Sequence, residues 1–378
     1  MTTRKTVSPA FTKAREFITR YTHMEPEDAD IVAVWTIGTW CFSPACQWPA
    51  TFPYLYVTGE PGAGKSVLCQ DAIGSICRNW KSATGATGPT LFRLLGTYDE
   101  ETGEIENHAP TLFMDEIDAT FSGQKDEPLR LSLNVGYKRG TTIPRSAGKS
   151  SIDFPIYGPK MMAGIPNGHL PETVTQRSIR IDLKRLSSDD LEAAGVEEFY
   201  VFDVEDEAAE LQQQLSDWAK DHSMVLRDYR PKSKPKGLTA RQWEIGRTMI
   251  QLAHALGNED QITRSLVTVL GRNPVQGKVS LYKSISSLFA DMDHETPEHA
   301  DRVTSRQVLD RLSRDAVHVP GQSLKGLSAV LAEDGIGPEM IRLRDGHPGE
   351  LENGSPTQRG YYRHNFDDAF LRYVEDED

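Results

Sequence analysis

Short, almost continuously apolar runs alternate with helical segments in the first half of the chain. The runs typical of buried strands are Tyr54–Thr58, Thr111–Met114, Met161–Ile165 and Ser178–Leu183. Between the first two runs, Ser66–Asn79 has apolar side chains at helical spacing. Because strands that alternate with helices form parallel sheets covered on both faces, this pattern predicts an α/β core.

Outside this core the pattern predicts mostly helices. In the last part of the chain, two short helices are followed by two strands, which a polar Gly/Pro-rich loop separates, and by a final helix. This is the order expected of a winged-helix module. The predicted elements are Thr304–Arg314, Gln322–Glu333, Met340–Arg344, Gly360–Arg363 and Phe366–Val374.

These patterns divide the chain into five predicted segments. They are an N-terminal helical region (1–50), the α/β core (51–186), an acidic helical segment with a basic linker (187–230), a helical lid region (231–300) and a winged-helix-like module (301–378). The basic, proline-broken stretch Arg227–Lys236 has two interpretations, a solvated linker or a nucleic-acid contact.

Composition and charge narrow the function classes. The chain has 378 residues and a net charge of −13, so it could bind nucleic acid only through a focused basic patch. Its four cysteines form no CxxC pair, which predicts reduced, partly buried thiols. Neither a signal peptide nor a long apolar run is evident, so we expect a cytoplasmic location and no membrane contact.

A glycine-rich motif follows the first predicted strand and opens the first predicted helix. It matches G-x-x-x-x-G-K-S, whose glycines let backbone amides turn toward phosphate oxygens. The lysine of this motif reaches the β- and γ-phosphates of ATP, and its serine ligates Mg²⁺. The residues are Gly59, Glu60, Pro61, Gly62, Ala63, Gly64, Lys65 and Ser66.

Two carboxylates end the second buried strand. Asp115 is expected to hold Mg²⁺, mainly through water, and Glu116 to orient and deprotonate the attacking water. An acidic pair after a strand is weak evidence alone, but the glycine-rich motif 50 residues earlier strengthens it. Asp118 is interpreted as a local cap or a supporting group.

Two further polar residues are candidates for contacts with the γ-phosphate. Asn167 follows the third core strand and is expected to touch the attacking water, although Pro166-Asn167-Gly168 is also a natural turn sequence. Arg177 precedes the last strand and is expected to reach a neighbouring subunit's γ-phosphate. Arg180 is the alternative, a structural salt bridge remains open for Arg177, and Arg241 in the lid region is a further phosphate-contact candidate.

A β-hairpin with a basic tip is predicted between residues 141 and 154, before the third core strand. In this position the hairpin could project into a central channel, where Arg145 and Lys149 would meet a phosphate backbone. A hairpin that is simply exposed to solvent is the other interpretation.

The run from Tyr54 to Arg185 resembles a P-loop ATPase family of actinobacteria, their phages and plasmids, which is often fused to primase–polymerase modules and labelled helicase-like. The C-terminal part is also similar to this family, and the order of parts is similar to superfamily 3 helicases of the AAA+ class. The matching stretches are TGEPGAGKS, LFRLL, PTLFMDEID, LRLSLNVGYKRG, FPIYGPKMMAGI, LPETVTQRSIRIDLKR, GIGPEMIRLRDG and RGYYRHNFDDAFLRYV.

This resemblance implies a P-loop NTPase fold of AAA+ type and a homo-oligomeric, hexameric ring in the bacterial cytoplasm. ATP and Mg²⁺ are the expected ligands, and single-stranded or forked DNA is the expected partner. The leading hypothesis is an ATP-driven helicase or translocase in phage or plasmid DNA replication. The alternative is an ATPase that remodels or inhibits a host replication protein, such as a sliding clamp or its loader, which the net charge and the acidic segment favour. A regulator that uses only the winged module is a third possibility.

Overall fold

The structure is a computed structural model of the chain. It describes residues 6–44, 46, 48–86, 88–99, 101–102, 105–122, 127–147, 150–166, 170–272, 274–315, 317, 319, 322–332, 334–344, 346–348 and 357–374.

The chain forms two compact units, Met1–Gly271 and Arg272–Asp378. The five segments predicted from the sequence are thus grouped differently, because a single hydrophobic core joins residues of the first three and extends to Leu270. Within this core, Trp35 is fully buried and its indole N–H donates to the Pro53 carbonyl at 2.8 Å. Thr248 donates to the Thr51 carbonyl at 2.7 Å. These two hydrogen bonds connect segments distant in sequence to the residues just before the first core strand.

A five-stranded parallel sheet lies at the centre of the first unit, in the order β2-β5-β8-β1-β9. The chain is therefore of the α/β class, as predicted. Every residue of β1, β5 and β8 is buried, which is why these strands are almost continuously apolar in sequence. The strands are β1 (Tyr54–Gly59), β2 (Trp80–Ser82), β5 (Thr111–Met114), β8 (Lys160–Gly164) and β9 (Ser178–Leu183).

Two antiparallel pairs accompany the sheet, β3 (Gly96–Tyr98) with β4 (Ile105–Asn107), and β6 (Thr142–Ala147) with β7 (Ser150–Pro155). The second pair is the hairpin expected before the third core strand. The first unit's helices are α1 (Pro9–Tyr21), α2 (Pro26–Thr39), α3 (65–76), α4 (Gly88–Leu95), α5 (Ile117–Ser122), α6 (Glu127–Val135), α7 (Glu172–Thr175), α8 (Ser188–Ala193), α9 (Val201–Asp221), α10 (Ser223–Asp228), α11 (Ala240–Leu256) and α12 (Glu259–Gly271).

The second unit has its own core around Tyr282, Phe289, Tyr361 and Phe366. Its antiparallel sheet has the order β10-β12-β11, and the two predicted helices, two predicted strands and final helix occur in the predicted order. The elements are α13 (Pro274–Glu295), β10 (Arg302–Thr304), α14 (Ser305–Arg314), α15 (Leu324–Ala332), β11 (Glu339–Arg342), β12 (Thr357–Tyr362) and α16 (Asp367–Tyr373).

The expectation of reduced, buried thiols is met in the described residues. Cys41, Cys46, Cys69 and Cys77 are buried free thiols. Of the helices that the structure describes, none combines the length and apolar character that a membrane crossing requires.

Candidate active site

The glycine-rich motif turns sharply at the carboxyl end of β1. Gly62 and Gly64 adopt φ angles of 80° and 86°, which side-chain-bearing residues rarely adopt. Gly59 is required for a different reason, since a Cβ there would lie 2.7 Å from the Leu183 carbonyl oxygen. The three motif glycines are therefore set by backbone conformation and close approach.

Lys65 and Ser66 begin α3 directly after this turn. The Lys65 ammonium bends back over the loop and donates to the Gly59 carbonyl at 2.6 Å and the Glu60 carbonyl at 3.1 Å. Ser66 has helical backbone angles, φ −68° and ψ −42°. The loop thus brings an ammonium group, a hydroxyl group and the amides of a helix N-terminus together, which is a favourable environment for a phosphate group.

The predicted acidic pair lies at the same edge of the sheet. Asp115 and Glu116 follow β5, and β8 separates β5 from β1, so the two strands are about 10 Å apart at ordinary strand spacing. The pKa of the Cys69 thiol depends on one residue of each motif. Burial raises its pKa, the negative charge of Asp115 raises it further, and the positive charge of Lys65 opposes the shift. Asp115 and Lys65 therefore both influence the same buried thiol.

Glu116 has a strained backbone, because its φ of 48° lies in the left-handed region. Such a conformation costs on the order of 1–3 kcal/mol in a residue other than glycine and tends to occur at functional sites. Local hydrogen bonds support it: the Glu116 amide donates to Asp115 Oδ1 at 2.9 Å, and the Asp115 amide donates to Thr84 Oγ1 at 3.0 Å. The Glu116 side chain is exposed, as the sequence-predicted base would require.

Asp118 forms hydrogen bonds with a residue of β1 and with the residue that follows β8. Its carboxylate accepts from the Ile165 amide at 2.6 Å and from the Tyr56 hydroxyl at 3.4 Å. This agrees with the supporting role inferred from sequence. The segment after Ile165 leads to Asn167, which lies outside the described residues, so its predicted contact with the attacking water stays a prediction.

A cavity of about 800 Å³ adjoins the glycine-rich loop. Its walls come from the end of α1 and from the chain after β9, and they include Tyr21, Thr22, Val67, Leu191, Val196 and Phe199. Thr22 is only 4% exposed, and within the described residues its hydroxyl has no hydrogen-bond partner. The cavity thus combines apolar side chains with the charged residues Lys184, Glu192, Glu197 and Glu198, and with a buried hydroxyl that has no partner among the described residues.

Arg185 also borders the loop, although the sequence analysis did not select it. Its Nε lies 3.6 Å from the position that a Cβ on Gly62 would occupy, and its side chain is exposed. No local pattern marks Arg185 or Thr22, because only the tertiary fold brings residues 22, 62 and 185 together.

Arg177 packs within its own chain. Its guanidinium donates to the Thr173 carbonyl and lies 5.1 Å from the centre of the Tyr137 ring. Arg241 contacts the same ring and donates to the Tyr137 hydroxyl at 2.9 Å, while Arg180, the alternative candidate, pairs with an aspartate of its own strand at 2.7 Å. To reach a neighbour's phosphate, Arg177 would have to leave Thr173 and Tyr137.

Arg145 does not lie at an exposed tip as the sequence analysis expected. It lies inside β6, where strand alternation places it on the same face as Ile143, and its guanidinium carbon is 3.6 Å from the Phe92 ring centre. Within the described residues, two of its nitrogens are buried without a hydrogen-bond partner. Lys149, the other basic residue predicted for the hairpin, lies outside the described residues.

Comparison with known proteins adds one match. Residues 190–373 are similar to a family model described as "Protein of unknown function (DUF3631)". No curated protein matches the chain. The matched region begins after the glycine-rich motif and the acidic pair, and it includes part of the cavity wall and nearly all of the second unit.

Proposed function

We propose that this chain is a Mg²⁺-dependent ATPase of the P-loop class. The observation that carries the proposal is the conformation of residues 59–66, where two left-handed glycines precede a helix start and the Lys65 ammonium folds back onto the Gly59 and Glu60 carbonyls. The acidic pair at the same sheet edge supports hydrolysis rather than binding alone.

The residues fit both expected ligands. A Cβ at Gly59 would lie 2.7 Å from the Leu183 carbonyl oxygen, and residues other than glycine rarely adopt the angles of Gly62 and Gly64, so the loop needs glycine at these three positions. Turns of this kind are common binding sites for phosphate groups. The Ser66 hydroxyl and the Asp115 carboxylate are the hard oxygen ligands that Mg²⁺ prefers. When bound, Mg²⁺ would neutralise charge on the phosphate oxygens.

The remaining chemistry belongs to the chain's own side chains. Lys65 would exchange its two carbonyl partners for phosphate oxygens. Glu116 would accept a proton from the attacking water, and its exposure leaves room for that water. Asn167 would orient the same water, and Arg177 would stabilise the charge on a neighbour's γ-phosphate. The cavity beside Thr22 would receive the nucleoside, because it adjoins the loop and has mainly apolar walls.

The wider proposal is a ring-forming motor that acts on DNA in replication. The second unit supports it, since its element order and β10-β12-β11 sheet are those of a winged-helix-like module. The β6–β7 hairpin before the third core strand supports it as well. A hexamer, a DNA partner and a cytoplasmic location remain parts of this proposal.

ATP turnover by the purified chain tests the proposal directly. We expect the wild type to hydrolyse ATP, Lys65→Ala to lose binding or turnover, and Glu116→Gln to bind ATP but hydrolyse it slowly. Retention of wild-type turnover by both variants would contradict the site assignment, and no binding of Mg·ATP by the folded protein would end the proposal.

A second candidate function is remodelling of a partner protein. The position of Arg145 against Phe92 favours it, because that guanidinium is not presented to a DNA phosphate. Turnover measured with single-stranded DNA distinguishes the two. A DNA motor should be stimulated by DNA, and Lys149→Ala should abolish the stimulation. A remodelling ATPase should instead retain its partner in a nuclease-treated pull-down with Glu116→Gln as the trap.

A further inference from the structure

A second cavity lies at the amino ends of the central strands, on the opposite edge of the sheet from the glycine-rich loop. Its volume is about 270 Å³. Ala109 and Tyr157, which line it, precede β5 and β8, whereas Gly59 and Asp115 lie at the carboxyl ends of β1 and β5. The six residues of β1 span about 20 Å at the ordinary strand rise, so this cavity is separate from the candidate active site.

Part of the cavity lining is apolar and aromatic. The rings of Phe42 and Tyr157 lie 5.0 Å apart between their centres, and Pro44, Pro49 and Pro155 extend the apolar surface. The Tyr157 hydroxyl donates to the Pro49 carbonyl at 2.9 Å, a hydrogen bond that holds the ring in place. A flat ring of a ligand can therefore pack here against aromatic side chains of fixed orientation.

Arg78 supplies one positive charge to this cavity. The residue is half-buried, and its guanidinium donates to the Ala109 carbonyl at 2.8 Å and to the His108 carbonyl at 3.4 Å. Burial lowers the pKa of this guanidinium. Backbone carbonyls leave its charge unneutralised, and within the described residues it forms no salt bridge. Ala109 has a φ of 37°, a strained conformation that tends to occur at functional sites.

Arg139 supplies a second positive charge. Its amide donates to the Ala50 carbonyl at 2.9 Å, which fixes its backbone beside the apolar lining. Burial raises the pKa of the Tyr157 hydroxyl and the positive charge of Arg139 opposes this rise, so the guanidinium lies near the aromatic ring. Two like charges in one small cavity repel each other, and an anion bound between them would remove this cost.

We propose that this cavity binds a small organic anion that carries a flat ring, in the class of aromatic phosphate monoesters and carboxylates. Guanidinium groups present paired N–H donors that match the oxygens of a phosphate or carboxylate, and Phe42 and Tyr157 would contact the ring. The volume lies near the lower end of the range for ligand sites, so the ligand is small. This site goes beyond the proposed ATPase and does not require it.

Phenyl phosphate is a suitable probe, because it joins one ring to one anionic group and lacks a nucleoside. In calorimetry without nucleotide or Mg²⁺, we expect the wild type to bind it with a Kd below about 1 mM. Arg78→Gln and Arg139→Gln should each raise this Kd at least about tenfold, since each removes a charge-assisted hydrogen bond. Thr142→Trp places a bulky ring at an exposed position of the lining and should block the cavity without changing its charge.

Two control variants should bind phenyl phosphate as the wild type does. Arg264→Gln removes an exposed arginine of α12 that does not line the cavity. Lys65→Ala alters the glycine-rich loop and therefore reports whether the probe binds there instead. Thermal melting checks that each variant is folded. Inorganic phosphate, which lacks the ring, and benzyl alcohol, which lacks the charge, should both bind the wild type at least about tenfold more weakly.

Several outcomes would overturn the proposal. The wild type could fail to bind about 10 mM phenyl phosphate, or the two arginine variants and Thr142→Trp could bind it as tightly as the wild type does. Loss of binding in Lys65→Ala alone would assign the probe to the glycine-rich loop. Equal affinity for inorganic phosphate would refute the role of the rings, and equal affinity for benzyl alcohol would refute the role of the arginines. Because the assay contains no nucleotide, its result does not depend on ATP binding.

Discussion

Replacing Thr22 with valine should stabilise the free protein and weaken nucleotide binding. The Thr22 side chain is almost completely buried, and its hydroxyl lacks a hydrogen-bond partner among the described residues. A buried unpaired polar group costs about 1–3 kcal/mol, and valine has nearly the same shape without the hydroxyl. For a unit of this size each kcal/mol moves the melting temperature by about 2 °C, so Thr22→Val should melt about 2–6 °C higher.

The same change should lower the affinity for the nucleotide. If the nucleoside occupies the cavity and bonds to this hydroxyl, losing one hydrogen bond costs about 0.5–1.5 kcal/mol, which raises the Kd about two- to tenfold. Melting curves recorded across a titration of Mg·ADP measure both effects in one assay, because a ligand that binds only the folded state raises the melting temperature with its concentration.

Thr36→Val is the matched control. Thr36 is equally buried, but its hydroxyl donates to the Val32 carbonyl at 2.8 Å. This variant should lose stability and leave the ADP affinity unchanged. If Thr22→Val melted lower, as the control should, the hydroxyl would have a partner after all. If it melted higher but bound Mg·ADP as tightly as the wild type, the cavity would not be the nucleoside site.

Three further predictions concern the loop, the acidic pair and the buried lysine. Gly62→Ala places a side chain at a position with left-handed backbone angles, which strains the loop. The Kd for Mg·ATP measured by calorimetry should therefore rise at least about tenfold, and an unchanged Kd would contradict the role of the loop. Arg185→Ala should lower the affinity for Mg·ATP more than the affinity for Mg·AMP if the guanidinium contacts phosphates beyond the first. Equal losses of affinity would refute this contact. Burial lowers the pKa of Lys160 to about 7 from an ordinary 10.5. The unfolded chain therefore binds more protons between these values, and the free energy of unfolding by urea should rise with pH across that window, by at most about 1.4 kcal/mol per unit. Lys160→Met should remove this part of the dependence of the unfolding free energy on pH. An unchanged dependence would contradict its assignment to Lys160.

The strands of the core could be predicted because strands buried on both faces have almost continuously apolar sequences. Thr111–Met114 and Ser178–Leu183 have the predicted bounds, and the strand predicted at Tyr54–Thr58 extends to Gly59. The edge strand Trp80–Ser82 was not predicted, since it has only three residues, none of them buried, and so lacks an apolar run.

The positions of the basic side chains could not be predicted in the same way. Arg145 was selected for its charge near a predicted hairpin tip, but the alternation of strand faces places it on the same face as Ile143, and its guanidinium lies against Phe92 of α4. A strand's register depends on its pairing, which the charge pattern does not encode. Arg177 similarly has a nearby aromatic partner, Tyr137, that lies 40 residues earlier in the chain.

The segment that matches the family model does not coincide with either compact unit. The match begins at residue 190, whereas the boundary between the two units in the sequence follows Gly271. The matched part therefore includes α9, a helix of the first unit that contacts residues before the match: Gln212 donates to the Ser75 carbonyl at 2.7 Å, and Glu207 pairs with Arg20 at 2.7 Å. Leu191, Val196 and Phe199 of the matched part also form one wall of the cavity beside the glycine-rich loop. The matched segment is thus not a self-contained module in this chain. It completes the core and the cavity that the preceding residues begin, so both parts of the chain line the cavity next to Gly62 and Gly64.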